Sequence, residues 1–406
     1  MQTIVKEICN AIEDRDDLTF IKVAQYIGAS KQCMSKLKTK NEIGFRYLLR
    51  LSYLLFPGNQ KEKMDEWCLR VDSVEAIKHS FEYAATTRNI TLLNNLIIKH
   101  AKEKSTTAEY VAIYTVIYKY MTDEISGLDL NTHVKNCGQI KDETLKVLIE
   151  IIKCYNYFFQ RKFHLMLETA HEAEKALVFL GKRELFFKEC YLHRIAEVLD
   201  HAYLFLNNLE LARYYASIII NADICAKTVS DATYIVGMTY LLEDAGSCLE
   251  YLQKSYDIAK TIGDNNIEHE ARQNLDFVKL YLNVKLPEDS DAALINFQNN
   301  KESEINLNSL KEVMYLKGED DLVVLFGAIS SGSIQRFHDC FLEYFQQTNY
   351  FFASIMAKEL RDRGDSTVWA MQAMNFTIKT EEGNHFEKDF ISGFSRFSNC
   401  SKRGCA

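Results

Sequence analysis

Residues 20–39 read FIKVAQYIGASKQCMSKLKT, and their spacing decides how the rest of the chain is read. A helix-turn-helix buries apolar residues at its fourth, eighth, tenth, fifteenth and eighteenth positions, with a small residue at the fifth and a glycine at the ninth. Val23, Ile27, Ala29, Met34 and Leu37 fill the apolar positions, Ala24 the small one and Gly28 the turn. Ala24 lets two helices approach, and Gly28 supplies the positive φ of a tight turn. Ser30 is suited to cap the second helix. With the buried face assigned, Ser30, Lys31, Gln32, Ser35 and Lys36 point outward, followed by Lys38 to Lys40, expected past the helix end. Such side chains suit double-stranded DNA: glutamine reads adenine, and lysine reaches guanine or phosphate. Arg46 and Arg50, on the next helix FRYLLRLSYLLF, are expected to touch the DNA backbone. The competing reading is a basic helical hairpin that binds no DNA.

Charge distribution agrees with the spacing. The chain carries a net −8, yet residues 18–61 hold eight basic residues against the single acid Glu42. That segment is therefore +7, which leaves −15 for the remainder. A basic head on an acidic body holds phosphates while the body repels them.

Across 406 residues there are two prolines, Pro57 and Pro287, and sixteen glycines. So few breakers imply many helices joined by short turns, an all-α fold. No apolar run reaches membrane-spanning length, and MQTIVKEICNAIEDRDD turns acidic where a secretory leader is apolar, so no membrane partner and a cytoplasmic location are expected. Eleven cysteines lie singly, without a CxxC pair. This reads as reduced thiols used as small apolar residues, with no metal expected.

Behind the head, apolar residues recur at helical spacing. MDEWCLRVDSVEAIKHSFEYAATTRN reads as a helix pair. Ala196, Leu199, Tyr203, Ala212, Ala216 and Ile219 have the spacing of one tetratricopeptide (TPR) unit with Asn207-Asn208 at its turn; Ala232, Gly237, Tyr240, Cys248 and Leu252 give a second, turning near Glu243 to Gly246. The expected architecture is a helix-turn-helix domain (1–60), a TPR-like right-handed α-solenoid (61–286), and a C-terminal region of further repeats, dimerisation surface and tail (287–406), with LPEDSD at 286–291 as the break.

Catalysis finds little support. GAISSGS (327–333) has phosphate-loop glycines without the lysine such a loop needs. His171-Glu172 and His269-Glu270 are isolated, and Glu243-Asp244 and Glu319-Asp320-Asp321 read as solvated turns. No enzyme and no cofactor are expected.

KVAQYIGASKQCMSKL, the aromatic helix ending LLFP, DEWCLRVDSVEAIKHSFEYA, YLFLNNLELARYYA, GMTYLLED with YLQKSYDIAK, RQNLDFVKLY, and residues 327–360 together resemble the arbitrium receptors (AimR) of Bacillus phages. The resemblance runs over most of the chain. It implies a homodimer that binds operator DNA, activates a transcript promoting lysis, and is switched off by a short imported peptide bound in the solenoid groove. Carried over residue by residue, the family's peptide-holding arginine falls at Lys227, its asparagines at His201, Phe205 and Met238, and an acidic residue near Asn349. These departures imply a different peptide or weaker binding of the usual type, while Phe205 and Met238 have a core reading as well. The overall reading is a peptide-gated, DNA-binding regulator of the lysis–lysogeny decision. Two alternatives stand beside it: a TPR interaction adaptor, and a chromosomal or plasmid quorum-sensing regulator of the same architecture.

Overall fold

A computed structural model describes residues 2–103, 106–181, 184–299, 320–365 and 372–377. Every regular element among them is a helix. The tail from Lys379, with its closing SKRGCA, lies outside the described residues. The chain divides into two compact units. Among the described residues, the first takes those up to 153 and 173–194; the second takes 154–172 and those from 195 to 377.

The first unit begins with α1 (Gln2–Glu13), α2 (Phe20–Ile27), α3 (Lys31–Lys40) and α4 (Phe45–Leu55). Thr19 and Ser30 have extended backbones, and their hydroxyls accept from the N–H groups of Lys22 and Cys33, starting α2 and α3. Gly28 ends α2 at φ 67°, and the Ala29 N–H reaches back to the Ala24 carbonyl at 2.8 Å. That is the wrap-around bond of a Schellman turn. Val23, Ala24, Ile27, Met34 and Leu37 are buried with Ile4, Ile8 and Ile12 of α1 and Leu48 and Leu51 of α4. Each such aliphatic side chain contributes about 1.5–3 kcal/mol on burial. Ala29 is half-buried rather than buried, because it sits in the turn just before the Ser30 cap.

Next come α5 (Gln60–Arg70), α6 (Val74–Thr86), α7 (Ile90–His100), α8 (Thr106–Met121) and α9 (Leu130–Asn136), successive partners in packing. The Trp67 indole on α5 is buried edge-on to Phe56 at 5.6 Å and donates to Glu7 of α1 at 3.0 Å. Deeper in the unit, the fully buried Glu82 carboxylate accepts from Thr86, Tyr114 and Arg194, so the charge is both paired and hydrogen-bonded.

Three helices contribute to both units: α10 (Glu143–Phe159), α11 (Phe163–Phe179) and α12 (Leu185–Phe205). The second unit continues with α13 (Leu209–Ala222), α14 (Ala226–Thr239), α15 (Ala245–Lys260), α16 (Asn265–Tyr281) and α17 (Ala292–Asn299), then α18 (Asp321–Ser331), α19 (Ile334–Gln346) and α20 (Tyr350–Asp362). From α13 to α16, and again from α18 to α20, each helix packs on the next, the stacking of TPR-like helix pairs. Gly237 of α14 permits the closest approach: a Cβ there would lie 3.0 Å from Leu252 Cγ and 3.2 Å from the Cys248 carbonyl and the Leu252 nitrogen of α15.

One turn recurs. Arg88, Asn207 and Thr348 take positive φ, and the asparagine after each bonds back five residues while its side chain caps the next helix. Two residues thus close one helix and open another. LPEDSD lies between α16 and α17. Of GAISSGS, Gly327 to Ser331 end α18, Gly332 closes it at φ 60° and Ser333 caps α19, as a helix turn requires.

Candidate functional site

In the first unit the site is the outer surface of α3. Ser30, Lys31, Gln32, Ser35, Lys36 and Lys38 are all exposed. At about 100° per residue, Lys31, Gln32, Ser35, Lys36 and Lys38 occupy one continuous arc away from buried Met34 and Leu37, with Ser30 at the N-cap. This face carries three lysines, a glutamine and two serines without an acid. It offers phosphate-binding charge and base-edge hydrogen bonding together. Lys38 is further steadied by the Phe20 ring, whose centroid lies 3.5 Å from its ammonium.

Arg46 and Arg50 are placed differently from the expectation that they touch DNA. Arg46 forms a bidentate pair with Glu189 of α12, at 2.5 Å from Nη2 to Oε1 and 3.1 Å from Nε to Oε2. Arg50 donates from Nη1 to the Ile27 carbonyl at 2.6 Å, at the end of α2. The physical cause is an apolar helix in which Phe45, Leu48, Leu49 and Leu51 are buried, so the neighbouring guanidiniums are carried inward to acceptors. Phe45 itself lies 4.9 Å from the Phe186 ring and 5.4 Å from His79. Glu189 is only 3% exposed; burial pushes its carboxyl up, opposed by the charges of Arg46 and Arg50.

Of the residues aligned with the peptide positions, three gather in the second unit. His201 Nδ1 lies 2.6 Å from Asp200 Oδ1 and 3.0 Å from the Glu197 carbonyl. Burial works against the charged imidazole, but the carboxylates of Asp200 and Asp231 raise it to about 9. The Lys227 ammonium bonds both oxygens of that same Asp231, at 2.6 and 2.7 Å. Phe158 stands edge-on to His201 at 5.6 Å and touches Phe205 at 5.9 Å. Phe205 stacks on Phe163 at 4.2 Å, a packing role with one edge left half-exposed. Met238 stands apart: it is fully buried on α14. Asn349 is also fully buried; its side chain caps α20 and donates to Asp321 at 3.3 Å.

Asp321, expected from the sequence in a solvated turn, instead starts α18 with its carboxylate largely buried and is the centre of a second cluster. It is paired with Arg161, which also donates to Gln347 at 2.6 Å, and Arg161 itself has φ 56°. Tyr234 of α14 lies within the field of this second cluster. Burial, then the carboxylates of Asp320, Asp321 and Glu270, push its phenol well above the usual tyrosine range. Fixed cation–anion pairs, with the Phe158 and Phe205 rings beside His201, suit a small ligand with charged ends and peptide-like donors and acceptors. No local signal could have found Arg161 and Asp321, which are 160 positions apart in the chain. Among the described residues no helix is long and apolar enough to cross a membrane, and no group of three His, Cys, Asp or Glu is placed to hold a metal.

The family model described as AimR transcriptional regulator-like matches residues 60–362. A solved structure of selenomethionine phAimR superimposes with a TM-score of 0.60 at 17% identity, covering 91% of this chain and 100% of that one. A structure of phAimR with ligand superimposes with a TM-score of 0.65 at 21% identity, covering 78% of this chain and 96% of that one. No curated protein matches the sequence significantly.

Proposed function

Because the chain belongs to the AimR transcriptional regulator-like family, we propose that it is a dimeric, DNA-binding transcription regulator of a phage lysis–lysogeny decision, gated by a short peptide. Residues 1–60 form the DNA-binding head, and α3 enters the major groove. Gln32 and Lys31 read bases there, and Ser30, Ser35, Lys36 and Lys38 hold phosphate. Arg46 and Arg50 support the head from behind. The peptide binds beside Lys227, His201 and Phe205, with Arg161 and Asp321 supplying a second pair of charges. A phAimR structure with ligand has this fold, which supports a receptor role for the second unit.

The observation that carries the reading is the exposed face of α3: five polar or basic side chains on one arc, backed by an apolar face and preceded by the Gly28 turn and the Ser30 cap. The peptide acts as a switch only if it binds better to a DNA-incompetent conformation than to the competent one.

The test is a mobility shift on the DNA flanking the gene, with and without synthetic peptides encoded beside it. Lys36→Glu is expected to abolish the specific shift while leaving the circular-dichroism melt unchanged. A true reader also loses affinity steeply as salt rises. Unchanged affinity of the variant at physiological salt would overturn the DNA-contact assignment. Absence of any wild-type shift at low salt would move the reading to an interaction adaptor.

A further inference from the structure

One of the connections between the head and the rest of its unit runs through Glu189. Glu189 is buried on α12 and grips Arg46 of α4 through two hydrogen bonds. One helical turn later on α4, Arg50 lies within the field of the same carboxylate. Arg50 in turn donates to the Ile27 carbonyl, which ends α2, and its Nη1 lies 3.1 Å from where a Gly28 Cβ would be. The connection therefore leads from a core acid, by a bidentate pair to Arg46 and by charge to Arg50, to the turn that sets the angle between α2 and α3. Packing follows the same route. Phe45, the residue before Arg46, is wedged among His79, Tyr83 and Phe186.

We propose that Glu189 is a positioning residue for DNA recognition: through Arg46 and Arg50 it seats the helix-turn-helix against α6 and α12 and fixes how α3 is presented. The proposal rests on the DNA-binding reading above, and it adds a residue 143 positions from its partner that makes no contact with DNA. A bidentate guanidinium–carboxylate pair holds both separation and orientation. That is what a reader needs when two heads must match the spacing of two half-sites. Arg46 on the surface of the head would have contributed one phosphate contact; turned inward, it determines the placement of the whole head.

The competing role for Glu189 is bulk stability of the unit, and the experiment separates the two. Hydrogen exchange is followed by mass spectrometry in the full chain for wild type, Glu189→Gln, and the swapped pair Arg46→Glu with Glu189→Arg. Glutamine keeps the shape and one acceptor while removing the charge. Expected is exchange at least about tenfold faster in α2 to α4, with α6 to α8 unchanged. Operator affinity should fall by a similar factor, and the strict preference for one half-site spacing should broaden on duplexes with altered spacers. The swapped pair should restore part of both. Unchanged exchange in α2 to α4, or equally faster exchange through α6 to α8, would overturn the proposal. Failure of wild type to bind any duplex would sink the DNA-binding reading alone, since the exchange data still decide whether Glu189 seats the head.

Discussion

Replacing Gly28 by alanine probes the turn on which the functional reading stands. Its backbone sits at φ 67° and ψ 28°, a left-handed conformation that costs an ordinary L-residue about 1–2 kcal/mol. The new methyl would also lie 3.1 Å from Arg50 Nη1, closer than a comfortable contact, so the guanidinium must shift. Arg50 donates to the Ile27 carbonyl at 2.6 Å, and weakening a bond of that kind adds up to about 1 kcal/mol. The expected loss is about 2 kcal/mol, close to a thirtyfold fall in the folded-to-unfolded ratio. The assay is urea denaturation followed by tryptophan fluorescence in a Trp369→Phe background, leaving Trp67 as the reporter. Trp67 is buried and bonded to Glu7 of α1, so it senses detachment of the head. Gly28→Asn serves as control, because asparagine tolerates this conformation and should lose roughly half as much. A loss below about 0.5 kcal/mol for alanine would refute the argument from backbone geometry, and equal losses for both variants would shift the cause to the clash with Arg50.

In the second unit, Gly237→Ala should destabilise by about 1–3 kcal/mol, because two of the three atoms its Cβ would meet are backbone and cannot rotate away; an unchanged thermal midpoint would contradict the close approach of α14 and α15. His201→Asn should flatten the pH dependence of stability. The folded imidazole titrates near 9 against an ordinary 6.5, so its stabilisation is complete below about 6.5 and is lost as pH rises toward 9. Urea midpoints across that range should therefore fall in wild type and fall less in the variant, and parallel profiles would remove His201 as the proton holder.

What the sequence disclosed and what it hid separate by distance along the chain. The buried face of the head, the Ser30 cap and the Gly28 turn are set by neighbours within a few residues, and each was readable from spacing alone. The Asn207-Asn208 turn was readable for the same reason, since asparagine both tolerates positive φ and caps. Arg88 and Thr348 make the same turn without a comparable signal in their own side chains. Arg46 was misjudged because nothing near it in sequence announces Glu189, and a basic residue beside a recognition helix ordinarily suggests phosphate. The cluster proposed to hold the peptide was half legible. Lys227, His201 and Phe205 gather, while Met238 is sealed in the core and Asn349 is occupied as a helix cap. Asp200, Asp231 and the Arg161–Asp321 pair become visible only once the helices are stacked.

The backbone at Arg161 has a consequence for how mutational scans of this protein should be interpreted. The residue holds a left-handed conformation while its guanidinium serves Asp321 and Gln347. Glycine there would relieve about 1 kcal/mol of torsional strain while leaving the Asp321 carboxylate without its partner, a larger loss of about 3 kcal/mol. A melting screen would record only the difference between the two. The apparent cost at position 161 therefore understates what the ion pair contributes.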